Sequence, residues 1–166
     1  MRKTPARSRQ NNPAYQMMNC QTYLLQLLSR RDYSQEELRK KAIAQGFEET
    51  EIIDTLQYLQ EINVQSDADV AESLILGYLG KYGKRKIKQK SREKGISDDL
   101  FEQKWEQLAD QREREDLSNL KDKVMRKYKL TYFSNLDPKT KRKVFNFLQY
   151  RGFNPFALLE QWQQED

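Results

Sequence analysis

Residues 87–105 read Ile87-Lys88-Gln89-Lys90-Ser91-Arg92-Glu93-Lys94-Gly95-Ile96-Ser97-Asp98-Asp99-Leu100-Phe101-Glu102-Gln103-Lys104-Trp105, and the pattern of this stretch decides the fold because the chain carries it three times. A glycine followed by an apolar residue closes a charged segment at Gly46-Phe47, Gly95-Ile96 and Gly152-Phe153. Eight residues before each glycine stands Leu38, Ile87 or Val144; six after it, Ile52, Phe101 or Leu158; ten after it, Leu56, Trp105 or Trp162. Glycine suits the left-handed residue that ends a helix, and the apolar residue behind it folds back onto the helix just closed. The spacing predicts an all-α chain, an elongated and curved tandem array of three three-helix repeats. Arrays of this kind generally bind extended partners.

Composition agrees with that reading. A chain of 166 residues that is 37% hydrophobic and 33% charged is lean for one globular core, and several small cores suit it better. Histidine is absent, which removes the commonest general base and the commonest metal ligand. The single Cys20 forms neither an internal disulfide nor a cysteine zinc site. Arg2, Lys3, Arg7 and Arg9 are followed by polar residues instead of the apolar run of a secretory signal, and no stretch reaches membrane-spanning length. The expectation is a cytoplasmic protein with no catalytic residues, no cofactor, no metal, no membrane contact and no small-molecule substrate.

Punctuation along the chain divides it into a disordered basic tail at 1–13 and repeats at 14–65, 66–111 and 112–166. The first repeat opens with a helix over 15–30. Its second helix starts at Ser34, where Glu37 completes a capping box, and its third turns Ile52, Ile53, Leu56 and Leu59 inward. In the second repeat Asp67-Ala68-Asp69 supplies an acidic first turn, a basic helix covers about 84–94, and Ser97 caps the helix bearing Phe101 and Trp105. A long charged helix is expected over 110–127. Asp137-Pro138 and Asn154-Pro155 then start the last two helices.

Most motifs that suggest chemistry have a plainer reading. Gly77, Gly80 and Gly83 before Lys84 miss the phosphate-loop spacing by one residue, and Arg85 stands where a magnesium-binding Ser or Thr belongs. Asp67, Asp69, Asp98 and Asp99 sit where helices start and acidic side chains favour the dipole. Trp105 and Trp162 hold equivalent repeat positions and read as core.

The basic run is different. Residues 81–94 carry Lys81, Lys84, Arg85, Lys86, Lys88, Lys90, Arg92 and Lys94 against Glu93 alone. At 100° per residue, Lys84, Arg85, Lys88 and Arg92 fall on one side of the Ile87 and Ser91 stripe, and Lys86, Lys90 and Lys94 on the other. No acidic neighbour at i+4 is there to neutralise them, and a phosphate backbone would relieve their repulsion. Lys139, Lys141, Arg142 and Lys143 hold the corresponding helix of the third repeat, whereas Glu36 and Glu37 make the first repeat mixed.

Several segments resemble, in order, those of the RecX regulators of the RecA recombinase. Tyr23 to Leu38 is similar to that family's opening signature: a leucine-rich helix, the Arg30-Arg31 end, and the Ser34-Gln35-Glu36-Glu37-Leu38 restart. Ser66 to Ala71 is similar to its acidic turn, although Ala68 interrupts the acids and Val70 replaces an aromatic residue. Gly83 to Ile96 resembles its basic second-repeat helix, and Tyr150-Arg151-Gly152-Phe153 its closing element. The resemblance spans about residues 15–163.

It implies a non-enzymatic, monomeric regulator that lies on the RecA filament on single-stranded DNA. There it would inhibit ATPase activity, strand exchange and filament growth, with a place in homologous recombination, DNA repair and the SOS response. The expected DNA- or filament-binding residues are Lys84, Arg85, Lys86, Lys88, Arg92, Lys139, Lys141, Arg142 and Arg151. The basic run taken alone equally permits a stand-alone helical-repeat nucleic-acid-binding protein with no recombinase partner.

Overall fold

Short polar residues start most of the helices, and glycines end those that matter most. The computed structural model describes residues 18–166. The expected basic tail at 1–13 and the expected first turn of the opening helix at 15–17 lie outside them. The described residues form α1 (Cys20–Leu28), α2 (Gln35–Ala44), α3 (Glu49–Glu61), α4 (Asp67–Tyr78), α5 (Lys84–Glu93), α6 (Asp98–Gln107), α7 (Ala109–Glu113), α8 (Ser118–Tyr128), α9 (Pro138–Tyr150) and α10 (Pro155–Gln164), with no strand among them. The side chains of Asn19, Ser34, Ser66, Ser97, Asp137 and Asn154 each accept a hydrogen bond from a first-turn N–H, and Ser34 with Glu37 forms the full capping box.

The thrice-repeated glycine pattern is structural throughout. Gly46, Gly95 and Gly152 have φ of 85°, 79° and 86°. In each case the following residue donates back into the last turn: Phe47 to the Ala42 carbonyl at 3.3 Å, Ile96 to Ser91 at 3.2 Å, Phe153 to Leu148 at 3.1 Å. Together with the glycine N–H bonds to Ile43, Arg92 and Gln149, these are three Schellman closures. The aligned apolar residues Leu38, Ile87 and Val144 are wholly buried, as are Ile52, Phe101, Leu56, both tryptophans and Leu158 to within a tenth of their surface.

Burial is divided among several small cores. Tyr23, Leu24, Leu38, Ile52 and Leu59 hold α1 to α3 together. Ile75, Ile87, Phe101 and Trp105 do the same for α4 to α6, beside a small group of Val70, Ala71 and Ile96. Val124, Phe133, Val144, Leu148 and Trp162 hold α8 to α10. The helix pairs that pack most extensively lie within these sets.

Two expectations need correction. The long helix expected over 110–127 is broken at Arg114–Leu117 into α7 and α8. Glu115 Oε1 accepts the Gly80 N–H at 2.7 Å, and Asp116 Oδ1 accepts the Ser118 N–H at 2.9 Å, so the break is held by the turn after α4 and by a new helix start. Ile53, expected inward, is 54% exposed, because the core face of α3 is set by Ile52, Thr55, Leu56 and Leu59.

The repeats are joined through their second helices, which meet end to end. The Gly83 N–H, at the start of α5, donates to the Arg151 carbonyl at the end of α9 at 2.8 Å. One module on, the Ser34 hydroxyl at the start of α2 donates to the Lys94 carbonyl at the end of α5. The C-terminal carbonyls of one helix thus meet the N-terminal donors of the next, satisfying orphan groups and setting α9, α5 and α2 with dipoles head to tail. At 1.5 Å per residue their lengths add to about 50 Å. Among the described residues, no helix is long and apolar enough to cross a membrane.

Candidate nucleic-acid interface

Six of the ten residues of α5 are cations, and its inward stripe is only Ile87 and Ser91. Neither α5 nor α9 has an acid in its first turn, and each carries Lys-Arg-Lys in the three positions before its buried Ile87 or Val144: Lys84-Arg85-Lys86, which opens α5, and Lys141-Arg142-Lys143, which follows Pro138-Lys139-Thr140 in α9. Cations at a helix start oppose the macrodipole, so both helices carry them at some cost in stability. The corresponding turn of α2 has Glu36 and Glu37 instead.

The two flanks of α5 differ. On the first, α6 supplies carboxylates. Lys84 and Lys88 Nζ lie 2.8 and 2.7 Å from the two oxygens of Glu102, and Arg92 holds Asp98 through two bonds of 2.8 Å. Hydrogen bonds from Lys84 and Lys88 hold the Glu102 carboxyl below its ordinary range, and the bond from Arg92 does the same for Asp98. This corrects the expectation that the run lacks neutralising partners. The partners stand on the next helix, where a search at i, i+3 and i+4 does not look. Arg85, on the same side, is exposed and makes no ion pair among the described residues.

On the second flank the neighbours are aromatic. Lys86 Nζ lies 5.0 Å from the Tyr150 ring centre, and Lys90 Nζ lies 5.0 and 5.4 Å from those of Tyr78 and Tyr82. The Arg151 guanidinium sits 5.6 Å from the Tyr82 ring and 4.8 Å from that of Phe147, and donates to the Lys81 carbonyl at 3.2 Å. Lys127 of α8 reaches the Phe147 ring at 4.7 Å. Aromatic faces attract these cations without cancelling their charge. Lys94 ends the flank with a 3.5 Å approach to Glu37.

Lys139, Lys141 and Arg142 are exposed on the first turns of α9 and pair with no carboxylate among the described residues. Of the nine residues expected at the interface, Lys84, Lys88 and Arg92 therefore share one surface with Glu102 and Asp98, three cations against two carboxylates, Lys86 and Arg151 stand at the α9–α5 junction, and the α9 cations lie at the far end of the same column. Tyr150, Tyr82, Tyr78, Phe147, Lys90 and Lys127 complete the second flank and were missed as site residues. Only the Tyr150-Arg151 pair carried a local signal.

Comparison with known proteins fixes the relationship. The family model for the first three-helix domain of RecX matches residues 20–59, and the model for its second three-helix domain matches residues 66–104. The regulatory protein RecX of Pasteurella multocida is 37% identical over 135 residues, covering 80% of this chain and 79% of that protein. The chain belongs to the RecX family. The RecX regulatory protein of Vibrio vulnificus is similar at 32% identity over 146 residues, covering 83% of this chain and 87% of that protein. The crystal structure of RecX from Lactobacillus salivarius superposes with a TM-score of 0.70 at 19% identity, covering 89% of this chain and 96% of that one. The RecX fold thus extends to α8–α10, beyond the residues that the two domain models match.

Proposed function

We propose that this RecX-family chain regulates the RecA recombinase, binding the RecA filament on single-stranded DNA and inhibiting ATPase activity, strand exchange and filament growth. The observation that carries the reading is the column of α9, α5 and α2. It sets three modules end to end with cations at the starts of α9 and α5 and acids at the start of α2. A surface graded in this way can face DNA at one end and a basic protein face at the other. Arg85, Lys86, Lys139, Lys141, Arg142 and Arg151 make the main contacts in this reading. Lys84, Lys88 and Arg92 contribute less, because Glu102 and Asp98 already engage them.

The test is RecA ATPase activity on single-stranded DNA with the protein added below stoichiometry. Inhibition is expected, and replacing Arg85, Lys141 and Arg142 together by glutamine should weaken it and flatten its salt dependence. An unchanged ATPase rate with the wild-type protein overturns the reading. Equal affinity for bare DNA and for the filament would favour the stand-alone nucleic-acid-binding protein, which the same basic surface permits.

A further inference from the structure

We infer that the second flank of the α9–α5 column is a track for one nucleic-acid strand, with the Tyr150 ring as its base-stacking platform. The inference rests on the proposed function only for the source of the strand. Helical geometry sets Lys139, Lys143 and Tyr150 within a narrow sector of α9, on the same side of its buried Val144 as Lys86 and Lys90 stand relative to Ile87 on α5. The junction keeps the two sectors in line, since Lys86 of α5 sits over the Tyr150 ring of α9 at 5.0 Å. At 1.5 Å per residue, the interval from the start of α9 to Lys90 is about 30 Å. Glu93 is the carboxylate that α5 itself adds to this side, and it makes no ion pair among the described residues.

Three features favour a single strand over a duplex or an acidic protein. Tyr150 is 76% exposed although it stands beside a helix end, so the ring leaves a face to solvent while Lys86 holds it. Cations interleaved with aromatic rings are what a sequence-tolerant strand site needs: charge for the phosphates and π-faces for the bases. The track also stops where the charge changes sign, because Lys94 meets Glu37 at the next junction. The opposite flank provides an internal contrast, with Lys84, Lys88 and Arg92 held by carboxylates.

The experiment is fluorescence anisotropy of a dye-labelled oligothymidylate with the full chain and no RecA, each variant first checked by circular dichroism. Tyr150→Ala is expected to weaken binding about 5- to 150-fold, the span that stacking of one base covers, and Tyr150→Phe to retain it. Lys86→Gln with Lys90→Gln should weaken binding and reduce the salt slope by about 1.4, two phosphates' worth on a single strand. Lys104→Gln should stay within about twofold of wild type, as that lysine is paired one-to-one with Glu72 and lies on α6, outside the track. Wild-type binding too weak to detect, Tyr150→Ala binding like wild type, or duplex binding as tight as the single strand would each overturn the track. Failure of RecA inhibition by the wild-type protein would overturn the proposed function and leave these affinities to decide the inference.

Discussion

The two junctions of the column do the same job with different chemistry. Between α9 and α5 the contact is backbone on backbone. A Cβ on Gly83 would lie 2.3 Å from the Gly152 carbonyl oxygen, and one on Gly152 would lie 2.5 Å from the Lys86 nitrogen. Between α5 and α2 side chains take over. Asp67 Oδ1 accepts the Gln35 N–H and the Gln65 side chain, each at 2.8 Å, the Ser34 hydroxyl reaches the Lys94 carbonyl, and Lys94 approaches Glu37. The first junction depends on the absence of side chains alone, whereas the second adds these side-chain bonds to a close approach of its own, since a Cβ on Gly95 would lie 2.5 Å from that of Glu36. The first should be broken by adding a methyl group, the second also by removing a carboxylate.

The largest effect is expected from Gly152→Val, which adds a strained left-handed φ to a clash with the backbone of Lys86. It should cost about 3 kcal/mol or more and lower Tm by about 6 °C or more, with α8–α10 melting apart from the rest in calorimetry. Gly83→Ala isolates the clash, because Gly83 has an ordinary φ of −83°. If it melts like wild type, the α9–α5 contact is looser than the distances say.

Asp67→Ala comes next. It leaves the Gln35 N–H without its acceptor and the Gln65 amide with only the Tyr33 carbonyl at 3.4 Å, and should cost about 1–3 kcal/mol, read as a Tm shift with α8–α10 unaffected. An equal loss in both halves of the chain would show that the junctions are not independent.

Acid should separate the junctions more gently. Burial presses the Glu37 carboxyl upward, but the Ser34 N–H, Lys94 and Arg31 outweigh it and hold the group below its ordinary range. A depressed carboxyl contributes stability that is fully present above its unfolded value, about 4.3, and is lost as pH falls through the folded value. Hydrogen exchange at the α5–α2 junction, corrected for intrinsic rates, should therefore quicken below about pH 4 relative to Gly83 and Gly152, and Glu37→Gln should abolish the difference. The smallest effect has the opposite sign. Gly77 lies within α4 with nothing within 4 Å of an added Cβ, so Gly77→Ala should raise stability by about 0.5–1 kcal/mol. A glycine outside the junctions thus serves as the control for those within them.

The helix starts at Ser34, Ser97, Asp137 and Asn154, the three glycine stops and the buried tryptophans were legible in the sequence, because capping and helical periodicity act over a few residues. Ile53 was misplaced because two adjacent isoleucines satisfy the same period and only packing against α2 chooses between them. The break at Arg114–Leu117 was hidden because its cause, the Gly80 N–H on Glu115, lies 35 residues away. The candidate interface divided in the same manner. The density of cations on α5 and α9 could be counted, but which of them keep their field depended on Glu102 and Asp98 arriving from α6, and on Tyr150 arriving from α9.

The sequence by itself thus determined the helices, their repeat and the family resemblance, since these rest on local backbone preference and on motifs kept in order. Only the tertiary structure decided that the glycines closing α5 and α9 are joints as well as stops, and that the flank of α5 paired with carboxylates is the one facing α6. Both depend on contacts between residues far apart in the chain, where short-range patterning has no hold.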